Sequence, residues 1–206
     1  LQRSKQFSWE FTAKKAWDAI EALHDAPQTT ISTSGLKNLN NKPRIAFLSP
    51  LPPQKSGIAD YSAELLVYLK KYFQIELFID PSLSEKDTPI LNDFPHFPWQ
   101  QLLPLRNKYK TAVYQQGNSA FHTHMFALER EFPGVIVLHD FFLSHIRQQI
   151  TYSDGKFLEE LDYSHGIRSI LDYQKQGQKA IWDWPTNWRI FVDANEIIVH
   201  SKFHKR

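Results

Sequence analysis

The chain of 206 residues contains no cysteine. That excludes disulfides, thiol nucleophiles and cysteine-held metals, and it suits a reducing compartment. No run approaches about 18 apolar residues and no signal-peptide core stands at the start, so neither a membrane-spanning helix nor an export signal is expected. Lys and Arg number 24 against 22 Asp and Glu, a net charge of +2. Such a small excess argues against nucleic acid or an anionic membrane as partner, and Lys14-Lys15 and Lys70-Lys71 read as solvated helix faces. Three glycine patterns are also missing: G-x-G-x-x-G, G-x-x-x-x-G-K-[ST] and G-x-S-x-G. Their absence sets aside the usual dinucleotide loop, the P-loop and the serine-hydrolase elbow.

What is present is an ordinary globular balance, 42% hydrophobic and 22% charged, with aromatics at 14%. Aromatic side chains line sugar sites, but they fill cores more often. The length suits one α/β domain of about 100 to 150 residues plus an appendage. "FSWEFTAKKAWDAIEALH" sets Trp9, Ala13, Ala16, Trp17, Ile20 and Leu23 at helical spacing, which predicts an amphipathic helix over 7–24 with Ser8 as its N-cap. Residues 25–43, rich in Ser, Thr, Asn, Gly and Pro and without periodicity, read as a linker. The first residue is Leu1 rather than Met, so a natural N-terminus upstream is expected.

From Arg44 onward, apolar runs alternate with helical patterns. "RIAFLS", "IELFID", "TAVYQQ", "VIVLH" and "EIIVHS" are the predicted strands. A helix carrying Tyr61, Leu65, Tyr68, Leu69 and Tyr72 on one face follows the first strand. Another aligns Phe121, Met125, Leu128 and Phe132, and a long one is expected from about Lys156 to Gln174. Near-continuous apolar strands separated by helices predict a Rossmann-like parallel sheet with helices on both faces. In such a sheet a ligand sits beyond the carboxyl ends of the strands, and the polar candidates fall there.

Gly57 follows the stiff "PLPP" turn and precedes Asp60, which is positioned to cap the next helix. Gly57 either permits the turn or lets a ligand approach the backbone at the helix start. His139-Asp140 ends an apolar strand. A neutral imidazole there can bond a hydroxyl while the carboxylate orients the ring or accepts a proton; alternatively backbone carbonyls satisfy His139 and Asp140 caps a helix. In "QQGNSAFHTH", Gly117, Asn118 and Ser119 precede His122 and His124. Asn118 reads either as a helix cap or as a ligand contact. Two histidines two residues apart diverge on a helix, so no metal is assigned there, nor to His200 and His204.

Three blocks, "RIAFLSPLPPQKSGIADYSAELL", "VYQQGNSAFHTHMFALEREFPGVIVLHDFFL" and "ANEIIVHS", resemble the N-terminal domain of family 4 glycosyltransferases of the GT-B fold, especially bacterial ones that build surface polysaccharides. Together they span most of residues 43–203. The leading "FSWEFTAKKAWDAIEAL" resembles the helix closing the C-terminal domain of the same kind of enzyme. The resemblance thus implies the tail of one glycosyltransferase over 1–24, a linker over 25–43, and the front half of the next over 44–206.

What this implies is a hexosyltransferase reaction with retention at the anomeric carbon, with a nucleoside diphosphate sugar as donor and a glycan or lipid-linked acceptor. No metal and no further cofactor are expected. The implied catalytic residues are His139 and Asp140, and the implied substrate contacts are Gly57, Ile58, Asp60, Gly117, Asn118, His122 and Ser201. A C-terminal donor-binding domain is missing from this chain, so the isolated segment is expected to be inactive. A cytoplasmic place is expected, with peripheral attachment at the inner membrane face as a variant. The competing readings are a catalytically silent carbohydrate-binding or interaction module, and a sugar-nucleotide epimerase, which the missing glycine fingerprint disfavours.

Overall fold

The computed structural model describes residues 42–200 together with Lys14 and Asp18. Of the helix predicted over 7–24 only those two are described, both helical and exposed. The rest of that helix, nearly all of the predicted linker, and Ser201 lie outside the described residues. The strands are β1 (Arg44–Leu48), β2 (Gln74–Ile79), β3 (His96–Pro98), β4 (Thr111–Gln116), β5 (Val135–Leu138) and β6 (Glu196–Val199). They form one all-parallel sheet in the order β3-β2-β1-β4-β5-β6, the α/β Rossmann-like arrangement that the alternating pattern predicts. The sequence reading missed β3, a short edge strand that ends in Pro98; an edge is where a sheet tolerates a residue without an N–H.

By packing, the chain divides into two compact units at the Val113–Tyr114 bond. In the first, Ile45, Ala46, Phe47 and Leu48 of β1 are all buried, and β1 pairs in register with β2 from Arg44 opposite Gln74 to Leu48 opposite Phe78. Helix α1 (Gly57–Leu69) buries Ala59, Ser62, Leu65, Leu66 and Leu69. The predicted tyrosine face is therefore corrected: Tyr61, Tyr68 and Tyr72 are half-buried, at the border of a stripe built from smaller and aliphatic side chains. At the end of β1, the Ser49 and Ser62 hydroxyls meet at 2.7 Å and tie strand to helix. A short helix α2 (Leu102–Leu105) leads to Tyr109, whose hydroxyl donates to Glu76 at 2.5 Å.

The second unit adds α3 (Met125–Glu131), α4 (Ser144–Thr151), α5 (Phe157–His165), α6 (Ile167–Gln176) and α7 (Trp188–Asp193). The single helix expected from Lys156 to Gln174 is two helices, broken at Gly166, whose φ of +73° an L side chain rarely adopts. The Ser169 hydroxyl lies 2.8 Å from the Gly166 carbonyl and 3.0 Å from that of Leu161, closing the break. Phe157, Leu161 and Ile181 form a buried cluster with Leu158, Ile170, Tyr173 and Trp184 packed against it. The helix predicted through Phe121 begins only at Met125, after a 3-10 turn over Ala120–His122.

Ionic groups join these helices. Glu160 pairs with Arg147, and the Arg189 Nε–H reaches both Glu160 oxygens at 2.8 and 2.9 Å. Burial pushes the Glu160 carboxyl up, but the Arg189 hydrogen bond and the Arg147 charge outweigh it and hold the group below the usual carboxylate range. Glu129 on α3 is different: it is buried, and its Oε1 has no hydrogen-bond partner among the described residues. Burial pushes its pKa up to about 8, with Arg147 pulling down and Asp193 pushing up, so at pH 7 it is mostly a neutral acid. Among the described residues no helix is long and apolar enough to cross a membrane.

The predicted cap of α1 is corrected too. Ser56, not Asp60, caps the helix, its Oγ accepting from the Ile58 N–H at 3.2 Å, while Asp60 sits exposed in the first turn. Ser56→Ala should therefore cost about 1 kcal/mol in urea unfolding, and Asp60→Asn should cost less; the opposite ranking would return the capping role to Asp60. For Glu129 the folded pKa lies above the ordinary value of 4.5, so its contribution to stability is full below pH 4.5 and is lost as pH rises toward 8. Glu129→Gln, which copies the neutral form, should raise Tm at pH 7 and flatten that alkaline decline. A lower Tm at pH 7 would contradict the assignment.

Candidate functional site

Polar side chains gather in the second unit where β4 and β5 end. Along β4 every residue is buried, and its last two are Gln115 and Gln116, both 0% exposed. Placing two amides at the end of an otherwise apolar strand requires that they be bonded or that they serve something. Gln116 Nε2 lies 3.3 Å from the Gly117 carbonyl, and the Gln116 carbonyl accepts the His139 N–H at 2.9 Å, extending the β4–β5 pairing by one residue. Gln115 Oε1 lies 2.8 Å from His139 Nε2.

His139 is half-buried, and the His200 ring, just past β6, stands with its centroid 4.6 Å away at 41°. Burial lowers the His139 pKa, and the nearby His200 and His122 rings lower it further, to about 3. The ring is neutral throughout the physiological range. One partner of the ring is the Gln115 side-chain amide.

Asp140 is exposed, and its Oδ2 accepts the Asn118 N–H at 2.8 Å. Through that bond it holds the turn after β4. Asn118 does cap a helix, but not the one that follows it. Its Oδ1 accepts the Ile146 N–H at 3.0 Å, satisfying the third residue of α4, whose own preceding residue Leu143 offers no side-chain cap. Beside Asn118, Ser119 meets His122: its hydroxyl lies 3.0 Å from His122 Nδ1, and its carbonyl accepts from Nδ1–H at 3.2 Å. His122 is 1% exposed, so it forms the floor under the turn. Burial lowers its pKa, partly offset by the Ser119 carbonyl and the charge of Asp140.

The sequence-predicted residues of this unit, Gly117, Asn118, His122, His139 and Asp140, thus belong to one hydrogen-bonded and electrostatically coupled group. Gly57, Ile58 and Asp60 lie in the first unit at the start of α1, where Gly57 is exposed and an added Cβ would meet nothing within 4 Å. The turn there does not require glycine.

Two features escaped the sequence reading. Gln115 is one; its only signal was polarity at a strand end. The other is the segment 184–187, which braces the chain just past Asp140. The Pro185 carbonyl accepts the Leu143 N–H at 2.8 Å, Asn187 Nδ2 donates to the Phe141 carbonyl at 2.8 Å, and the Ser144 hydroxyl bonds the Trp184 carbonyl. Thr186 adopts φ +49°, and its N–H donates to His165 Nε2 at 2.9 Å. That costly backbone is held by its surroundings. Nothing in the local sequence pairs these residues.

Compared with protein-family models, curated proteins and solved structures, the chain has no significant match.

The electrostatics of this group predict an acid-side loss of stability. The folded His139 pKa lies below the ordinary 6.5, so its contribution is full above pH 6.5 and is lost progressively as pH falls toward 3. His122 acts in the same direction. Thermal melts should show a smaller drop between pH 7 and pH 4 in His139→Gln than in the wild type. An NMR titration placing the His139 midpoint near pH 6.5 would refute the buried, neutral ring.

Proposed function

We propose that this chain forms the acceptor-side half of a retaining glycosyltransferase, moving a hexose from a nucleoside diphosphate sugar to a glycan or lipid-linked acceptor. The observation that carries the reading is the neutral His139 imidazole, held by Gln115 at the carboxyl end of a parallel strand in a Rossmann-like sheet. Carboxyl ends of such strands are where ligands bind in open α/β sheets. A neutral ring suits hydroxyl-rich, uncharged groups better than a cationic one would. In this reading His139 hydrogen-bonds the reacting sugar or acceptor. Asp140 keeps the Gly117-Asn118 turn in place beneath it, and the donor-binding half belongs to a following domain.

A second reading, a silent carbohydrate-binding module, is favoured by one fact. Asp140 Oδ2 and Asn118 Oδ1 are already engaged in holding the turn, which leaves fewer groups for chemistry.

In a protein that joins this chain to a donor-binding domain, His139→Ala should cut single-turnover transfer by about 100-fold, the scale for losing a positioned polar catalytic group. Its Tm should fall only modestly, by the loss of the Gln115 hydrogen bond. Near-normal transfer from a clearly destabilised variant would give His139 a structural role only. Sugar binding without any transfer in the wild type would favour the silent module, and tight binding of NAD would revive the epimerase class.

A further inference from the structure

We infer that His165 is a pH-sensitive latch on the segment 184–187: the neutral ring holds that segment against the residues following His139-Asp140, and protonation of its Nε2 releases them. The inference concerns the second unit alone and does not depend on the function proposed above.

The latch is one hydrogen bond. The Thr186 N–H donates to His165 Nε2 at 2.9 Å. A backbone N–H can only donate, so Nε2 carries a lone pair and the proton of the neutral ring sits on Nδ1. A second proton would occupy that lone pair and set two N–H groups facing each other. The bond cannot survive it. His165 is half-buried, so protons reach the ring, whereas Thr186 is buried and its N–H would be left without an acceptor.

What the bond restrains is a strained backbone. Thr186 adopts φ +49°, where a β-branched residue is a genuine outlier. The same four residues carry the contacts that brace the chain after β5: the Pro185 carbonyl accepts the Leu143 N–H, Asn187 Nδ2 donates to the Phe141 carbonyl, and the Ser144 hydroxyl meets the Trp184 carbonyl and, at 3.1 Å, the Thr186 hydroxyl. Losing the latch removes one of the bonds that offset the strain. The segment then relaxes away from Phe141, Leu143 and Ser144.

The ring has two states to choose between. Burial favours the neutral one and lowers the His165 pKa. Of the charged groups on the surrounding elements, Arg147 of α4 and Arg189 of α7 are paired with Glu160, and Arg189 also lies over the Tyr163 ring. Arg168 and Asp172 of α6 and Asp183 before the segment leave burial as the sole cause of the lowering. The carboxyl end of α5, whose last residue is His165, favours a cation. The ring is thus either neutral and bonded to Thr186 or cationic at the helix end.

The test uses the whole chain labelled with ¹⁵N. At pH 7 long-range ¹H–¹⁵N correlations should show His165 with its proton on Nδ1, and the ring should titrate with a midpoint below 6.5. Amide hydrogen exchange, corrected for the intrinsic effect of pH, should show protection at Thr186 and Leu143 falling by about tenfold per pH unit between 6.5 and that midpoint. Protection at Ile136 within β5 should fall less. His165→Gln offers an amide oxygen in place of Nε2 and does not titrate, so Thr186 and Leu143 should lose their extra pH dependence relative to Ile136. His165→Phe should leave both amides weakly protected at every pH.

A proton on Nε2 at pH 7, a midpoint at or above 6.5, or a decline at Thr186 and Leu143 that runs parallel to Ile136 or persists in His165→Gln would overturn the latch. Should either variant not fold, the wild-type tautomer, midpoint and exchange pattern still decide the matter.

Discussion

The ends of the strands in the second unit depend on one asparagine. Asn118 gives its backbone N–H to Asp140 and takes the Ile146 N–H on its side-chain oxygen, at 2.8 and 3.0 Å. With two hydrogen bonds it joins the end of β4, the residues after β5 and the first turn of α4. A helix start buried without a cap would leave N–H groups unpaired, and α4, preceded by Leu143, has no cap of its own. Supplying that cap from 28 residues away makes the helix and the turn one structure. His139, next to Asp140 and bonded through its N–H to the Gln116 carbonyl, takes its place from that frame.

Within the frame the polar groups are mostly uncharged. Gln115, Gln116 and His122 are buried, and burial keeps His122 and His139 neutral. Desolvation penalises the charged form of a group, so His122 and His139 can stand near one another only as neutral rings. Buried ions of this unit stand apart from the frame, where Arg147 and Arg189 both pair with Glu160. The strained Thr186 segment lies beside the frame. It braces Phe141 and Leu143, directly after His139-Asp140, through backbone and amide hydrogen bonds. A site whose rims are tied in this way can hold a ring in one orientation, which is what proximity effects require.

The sequence by itself determined five of the six described strands and the class. Runs such as "RIAFL" and "VIVL" are apolar without alternation, which suits only strands covered on both sides, and the five predicted strands all appear in the parallel sheet. It also marked His139, Asp140 and Asn118 as polar residues at strand ends, because a polar residue closing a buried run is visible in one dimension. What those residues do was decided by tertiary structure alone. Asn118 caps α4 and not the turn after it, the buried Gln115 amide bonds the histidine, and Ser56 and not Asp60 begins α1. Hydrogen bonds are chosen by distance and direction in space, and a side chain's donors and acceptors do not specify which of several equally suitable partners the fold will bring within 3 Å.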